Sequence, residues 1–398
     1  MKTIKFFMSA MAAVAMTASL ASCQKDDSSS DDNPVEDIVF ESGATISGRY
    51  NDNITLKAGN YTLSSSLQIE SPGVLTIEPG TTITASANDN IIYILIEQGA
   101  KIIAEGTADA PIVMTSEEKT AGAWGGLHIC GRSHTNAGTG SSEIGNATYG
   151  GDSENDNSGS LKYLRIENSG YALDSEHEAN GISLYGVGSG TSISYVYVVN
   201  GSDDGIEFFG GSVNIDHCIV ENCTDDSYDW TEGWNGTAEY IVAYQSIAEC
   251  DCLMECDNNG NNEAAEPNSC PTISYATLVG MDNSSDSEKN FGVKFRAGTW
   301  VNLDHAIITG KATAISLETQ HTVDSFAGEN PESSITYTLI SGAFTSEYAD
   351  TYGSDDFAAA DGNMADQDFS SAFTNNFVGQ VDGCGAVAAD NDWTAWTR

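Results

Sequence analysis

From residue 161 onward, one short pattern of apolar and polar positions recurs along the chain. It reads apolar, polar, Tyr or His, small or apolar, any residue, apolar, any residue, then Asn or Gly. Copies run over 161–168, 193–200, 215–222, 273–280, 303–310 and 335–342, with a weaker copy at 238–245. Their third position holds Tyr163, Tyr195, His217, Tyr240, Tyr275, His305 and Tyr337. Alternating polarity over about eight residues predicts a strand, and the closing Asn or Gly predicts a turn. A shorter apolar-x-apolar unit follows each copy and predicts a second strand, as in Ile182-Ser183-Leu184, Ile206-Glu207-Phe208 and Tyr228-Asp229-Trp230. The series continues with Met254-Glu255-Cys256, Val293-Lys294-Phe295 and Ile315-Ser316-Leu317. Nearer the N-terminus, Leu75–Gly80 aligns with Ile94–Gly99 as a related unit.

Strand–turn units of about 20–25 residues with no helical periodicity between them predict a β-solenoid. In such a coil each strand pairs with its counterpart one repeat later, about 4.8 Å away. A β-sandwich also spaces its strands regularly, but it does not require one residue type at one register in every copy. The expected fold is therefore all-β, a parallel β-helix over 40–345 with Gly/Asn/Ser-rich inserts at about 129–160 and 257–269. Residues 346–398 are expected to cap it, with Trp124, Trp393 and Trp396 near its ends.

The first 22 residues read differently. Lys2 and Lys5 precede the apolar stretch 6–20, and small residues lead to Cys23, the arrangement of a secretory signal. Leu20-Ala21-Ser22-Cys23 resembles the bacterial lipobox, which implies lipidation of Cys23. Residues 23–39 read as a flexible acidic tether, and their Lys-Asp-Asp-Ser run resembles a surface-export signal of Bacteroidetes lipoproteins. The expected location is the outer membrane, lipid-anchored and facing outward.

Charge narrows the partners. The chain of 398 residues holds 15 Lys+Arg against 58 Asp+Glu, a formal net charge of −43. That excess excludes a nucleic-acid-binding surface, which needs a basic face. Of the 9 cysteines, all but Cys23 lie in the body, an even set suited to an oxidising compartment. Spacing alone cannot choose their pairing, but repeat register proposes Cys223 with Cys250 on adjacent coils. Cys256 and Cys270 bracket the second insert and could close it.

The register also carries a family resemblance. Trp124-Gly125-Gly126-Leu127, the run Asp203 to Gly211, the run Asp225 to Trp230 and Asp392-Trp393-Thr394-Ala395-Trp396 carry it. On these stretches the chain resembles right-handed parallel β-helices of the pectin-lyase-like type, and more narrowly a group of Bacteroidetes surface lipoproteins of uncertain function. The resemblance implies the architecture and the right-handed coil; this fold hosts lyases, hydrolases, adhesins and inert stalks, so it implies no single activity.

Stacking the coils turns register into a surface. The middle residue of each apolar-x-apolar unit points outward. Successive coils thus present Ser183, Glu207, Asp229, Glu255, Lys294 and Ser316 in one row, with Asp203, Asp225 and Asp251 four residues earlier and Asp204, Asp226 and Cys252 beside them. Like charges about 5 Å apart oppose folding unless compensated. A calcium ion could sit among Asp203, Asp204, Asp225, Asp226 and Asp251, since hard oxygen ligands suit it. Alternatively, Glu207, Asp229 and Glu255 could share protons and act as the carboxylates of a glycosidase. The turn aspartates could instead bond nearby amides, and the strand carboxylates could form a solvated face.

Further candidates surround this ladder. Calcium with Lys294 or Arg296 as base would resemble the polyuronate-lyase arrangement on this fold. The Asn-Thr-Asp and His-Gly stretches of pectin hydrolases do not occur, and cations are sparse. Trp234 is the candidate exposed indole for holding a sugar ring, whereas Tyr228 and Trp230 fall on inward positions. His217 and His305 replace Tyr in the repeat and are expected to stack between coils, and Glu176-His177-Glu178 is expected to face solvent. No zinc or nucleotide motif is present. The expected function is a binding scaffold for calcium and an extracellular glycan or surface protein, with a polysaccharide hydrolase or lyase and a structural stalk or adhesin as the alternatives.

Overall fold

The computed structural model describes residues 35–88, 91–171, 179–283 and 285–398. The expected signal, Cys23, most of the tether and Glu176-His177-Glu178 lie outside them. Within them, 27 strands join one continuous sheet, whose ladders are parallel, as in Ile206–Phe209 on Tyr228–Thr231 and Thr237–Tyr244 on Thr272–Val279. This is a parallel β-helix. Its first strand, Asp37–Phe40, pairs with Asn53–Leu56, so the coil begins inside the stretch expected to be tether.

Each full coil supplies strands to three faces, because one sequence repeat bends at two corners. One face stacks Ile182–Tyr185, Ile206–Phe209, Tyr228–Thr231, Met254–Asp257 and Phe291–Arg296. A second stacks Ser192–Ser194 on Asn214–Asp216, and the third Tyr197–Val199 on Ile219–Glu221. Inward side chains are apolar. Tyr228 and Trp230 are buried while Asp229 between them faces out, the alternation that a strand pleat imposes.

The pattern expected as one eight-residue strand is bent at its third position. Tyr163, Tyr195, His217, Tyr240, Tyr275, His305 and Tyr337 all take φ between 46° and 55°. That left-handed conformation costs roughly 1–2 kcal/mol per residue. Stacking offsets it. Successive rings of this row lie 4.6, 4.6, 4.9, 4.9, 5.0 and 4.7 Å apart, close to the coil rise, and each aromatic pair contributes about 0.5–1.5 kcal/mol. His217 and His305 are thus members of an aromatic row, as their register implies. At the second corner Asn168, Asn200 and Asn222 have φ of 62°, 61° and 54°, and Asn200 Nδ2 donates to Asn168 Oδ1 at 2.6 Å.

Two expectations are corrected. Leu75 and Ile94 are not equivalent: Val74–Ile77 pairs with Lys101–Ala104, whereas Ile94–Ile96 pairs with Leu67–Ile69 on another face. The same short apolar motif serves every face, so similarity alone cannot assign one. The tryptophans do not cap the ends. Trp124 is buried within the coil, its indole N–H donating to the Glu167 carbonyl at 2.8 Å. Trp393 and Trp396 meet the aromatic row edge-on, at 4.9 Å from His217 and 5.5 Å from Tyr163. The C-terminal segment instead runs along the outside, where Phe377, Val378, Ala386 and Val387 cover Tyr197, Ile219 and Val242. These outward apolar residues would otherwise be exposed. Phe357 of the short helix Ser354–Ala359 packs on Phe344, in the strand Ala343–Ser346, at 4.9 Å.

Candidate cation site on the acidic ladder

The coil pairing places the ladder in the expected register. Ser183 pairs with Glu207, Glu207 with Asp229, Asp229 with Glu255, Glu255 with Lys294 and Lys294 with Ser316. Carboxylate oxygens of Asp204, Glu207 and Asp229 all lie within 4.8 Å of one another. The same holds for Asp226, Asp229 and Glu255, and for Asp203, Asp204 and Asp225. Asp226 and Asp251 also converge with the Cys252 thiol. The eight acids singled out by register therefore form one contiguous group. Asp203, Asp204 and Asp226 are buried, and Glu207, Asp225, Asp229, Asp251 and Glu255 are half-buried.

The turn aspartates have a structural task as well. Asp204 Oδ1 accepts the amide of Asp226 at 2.9 Å, and Asp226 Oδ1 accepts the amide of Cys252 at 2.6 Å. Each carboxylate thus satisfies an amide of the next coil, rather than of its own turn, with one oxygen. Glu207 accepts from Asn180 Nδ2.

Burial, followed by the Asp229 charge, pushes the Asp204 and Glu207 carboxyls well above the usual range. Burial and Glu255 do the same to Asp226 and Asp229. At the far end the repulsion is relieved. Arg296 Nε donates to Asp257 at 2.7 Å, its guanidinium also pairs with Glu255, and Lys294 Nζ lies 3.6 Å from Glu255. Among the described residues, no lysine or arginine is in ion-pair contact with Asp204, Glu207 or Asp229, and only Asp229 has the Arg296 charge acting on it at longer range. The uncompensated charge therefore collects on the Asp204–Glu207–Asp229 rungs.

The comparisons with known proteins bear on the scaffold that carries these rungs. The pectate-lyase-like beta helix domain matches residues 48–397. The chain belongs to this family. Curated proteins and solved structures each gave no match.

In this pectate-lyase-like β-helix, oxygen spacing bears on the chemistries open to the ladder. A retaining glycosidase separates its two carboxyl groups by about 5–5.5 Å. One oxygen from each of the three acids here lies within 4.8 Å of the others, which overlaps that range. It also approaches the spacing of three oxygens around one ion at a Ca–O distance of about 2.3–2.6 Å, so a small side-chain adjustment would seat a cation.

The candidate bases fit catalysis poorly. Burial opposes the Lys294 ammonium, but the surrounding Cys252, Glu255, Asp251 and Asp226 outweigh it and raise its pKa. Burial likewise opposes the Arg296 cation, and Asp257 and Glu255 outweigh it. Both side chains stay protonated and serve as counter-charges.

Two further expectations fail. Trp234 is 1% exposed, stacked on Phe208 at 3.8 Å with its N–H donating to the Val213 carbonyl at 3.0 Å. It is core, because the turn after Thr231 folds back over the coil, so it offers no platform to a sugar. Cys223, Cys250, Cys256 and Cys270 are all free thiols. Cys256 points into the core while Cys270 is half-buried in a turn beside Asn302, so that pair does not face each other. Burial pushes the Cys223 and Cys250 thiols up to about 12.

The inserts wall one side of the ladder. Tyr149 from the first packs on Tyr185 at 5.1 Å, and Tyr185 stacks on Phe209 at 4.4 Å. Asn136 Nδ2 donates to Asn258 Oδ1 at 2.7 Å and to the Pro267 carbonyl at 3.1 Å, which locks the two inserts together. This arrangement brings in two groups that register reasoning missed. Glu143 lies 3.5 Å from the Tyr185 hydroxyl and adds its charge to those acting on Glu207. His128 sits opposite Ser183 on the ladder, fully buried, its Nε2 donating to the Gly125 carbonyl at 2.6 Å. Burial lowers its pKa to about 4, so the ring is neutral. Leu127-His128-Ile129 has the apolar-x-apolar form and could have been found; Glu143 lies in an insert outside the repeat and left no signal.

Proposed function

We propose that the chain is a divalent-cation-binding β-helix, anchored at the outer-membrane surface through lipidated Cys23, that presents a calcium-loaded ladder to an extracellular glycan. The observation that carries this reading is the convergence of carboxylate oxygens from successive coils, with basic partners at one end only. An all-oxygen donor set favours Ca²⁺ over softer metals. Asp204, Glu207 and Asp229 would hold the ion, and the remaining acids would tune its charge. The lipobox-like segment and the resemblance to Bacteroidetes surface lipoproteins support the location. Calorimetric titration of the chain with Ca²⁺ tests the reading: heat with a stoichiometry near one supports it, and neither heat nor thermal shift sinks it.

The family name keeps a second reading in view, a polysaccharide lyase or hydrolase using Glu207, Asp229 and Glu255. Product formation on a polysaccharide panel, abolished by Glu207→Gln, would establish it. Silence across the panel leaves binding.

A further inference from the structure

A second candidate lies on the last coils, C-terminal to the carboxylate rungs. A cleft of about 390 Å³ opens between the loop after the short helix Gln320–Asp324, the strand Ser334–Thr336 and the helix Ser354–Ala359. Its volume falls within the roughly 300–1,000 Å³ range of small-molecule sites. Phe326 and Tyr352 form an aromatic corner, with ring centroids 5.2 Å apart. Asp356, an exposed carboxylate, lies on the wall.

Two hydroxyls of the floor are already committed as donors, while the Thr351 and Tyr352 hydroxyls also line the cleft. Thr336 Oγ1 donates to Asp304 Oδ1 at 2.7 Å and Ser334 Oγ to Asn302 Oδ1 at 2.9 Å. Each of these two oxygens therefore has only lone pairs left to offer. Asp356 is an acceptor too, with Oδ2 receiving the Gly353 amide at 2.8 Å. Among the described residues, no lysine or arginine lines the cleft. A cleft with an acidic wall and an aromatic side chain discriminates chiefly by charge. An anion would be repelled by Asp356. A neutral polyol can donate to the free lone pairs but brings no charge to meet Asp356. An ammonium presents donors only, carries the complementary charge, and is attracted by ring faces within about 6 Å.

We propose that this end cleft binds an aliphatic ammonium, seated between Asp356, the Ser334 and Thr336 hydroxyl oxygens and the half-buried Tyr352 ring, which Phe326 backs from the core. The inference is independent of the calcium reading, since no ladder residue takes part. The test is calorimetry of the full chain with cadaverine, in about 0.15 M NaCl to screen diffuse attraction and with excess Ca²⁺ to occupy the ladder. Its neutral analogue 1,5-pentanediol serves as the probe of charge. Asp356→Asn keeps a side-chain oxygen for the Gly353 amide but removes the charge. Ala359→Arg places a guanidinium at the exposed rim without removing any contact. Saturable binding of cadaverine but not the diol, weakened about tenfold by Asp356→Asn and abolished by Ala359→Arg, is the expected result. Equal binding of both probes, no saturable binding of cadaverine, or unchanged affinity in Ala359→Arg would overturn it. Far-UV circular dichroism and melting of each variant separate a lost site from a lost fold.

Discussion

Replacing Asp229 by Asn should raise stability in chelator and abolish the stability that calcium adds. Asp229 belongs to two convergent oxygen groups, one with Asp204 and Glu207 and one with Asp226 and Glu255. Glu255 is the largest charge acting on Asp229, partly offset by its pairing with Arg296, and Asp229 in turn is the largest charge acting on Glu207, which has no such pairing. Two unit charges 4.8 Å apart interact by about 3.5 kcal/mol at an effective dielectric constant of about 20. Protonation limits the penalty: holding a proton on a carboxyl of ordinary pKa near 4 at pH 7 costs about 4 kcal/mol. Both routes give the same scale. In chelator, Asp229→Asn should therefore melt higher than the parent, by about 5 °C for a chain of this size. In millimolar Ca²⁺ the parent should gain stability that the variant lacks, about 2.7 kcal/mol when the ion is at a hundred times its Kd. Differential scanning calorimetry in the two buffers reads both the difference in chelator and the increment that Ca²⁺ adds to each protein. A variant less stable than the parent in chelator, or one that Ca²⁺ stabilises as much as the parent, would refute the reasoning.

Other outcomes follow from the same structure. Without cation, stability should fall as pH rises from about 5 to 8: the raised carboxyls of Asp204, Glu207, Asp226 and Asp229 hold protons in the folded chain that the unfolded chain has released, so their contribution is present below the unfolded pKa and lost as pH climbs through the folded one. Ca²⁺ should flatten that slope in a thermal-melt series, and an upward slope without cation would contradict the ladder electrostatics. Trp234→Ala should destabilise by about 3–5 kcal/mol in denaturant melts, as loss of a buried indole stacked on Phe208, while leaving Ca²⁺ affinity unchanged. Thiol titration of the denatured, unreduced chain should find the eight body cysteines reactive, and a non-reducing peptide map showing Cys223 linked to Cys250 would contradict the free thiols.

The sequence exposes those parts of the molecule that repeat. Ladder register was legible because Glu207, Asp229 and Glu255 each sit between two inward apolar residues, and the pleat leaves them one direction to point. The Tyr/His row was legible as stacking but not as a corner. A left-handed φ at Tyr195 or Tyr240 leaves no mark on polarity, and a bulky ring there is an unusual choice unless a neighbouring coil supplies another ring. Trp234 was misplaced because it follows the repeat, in a turn whose return over the coil depends on contacts with Val213 and Phe208. Glu143 was invisible for a related reason: its approach to Glu207 is set by Tyr149 packing on Tyr185, a contact between an insert and the ladder face that no periodicity encodes. The tryptophans near the C-terminus suggested caps by position alone, whereas the outward apolar residues Tyr197, Ile219 and Val242 determine where that segment lies.

Asp204, Glu207 and Asp229 converge, and the proposal is that they hold a cation. Anomalous diffraction from crystals grown with Ca²⁺ and soaked in a lanthanide tests it most directly. The account predicts an anomalous peak bounded by those three carboxylates, absent in Glu207→Gln. A fully occupied lanthanide elsewhere, with nothing on these rungs, would contradict it.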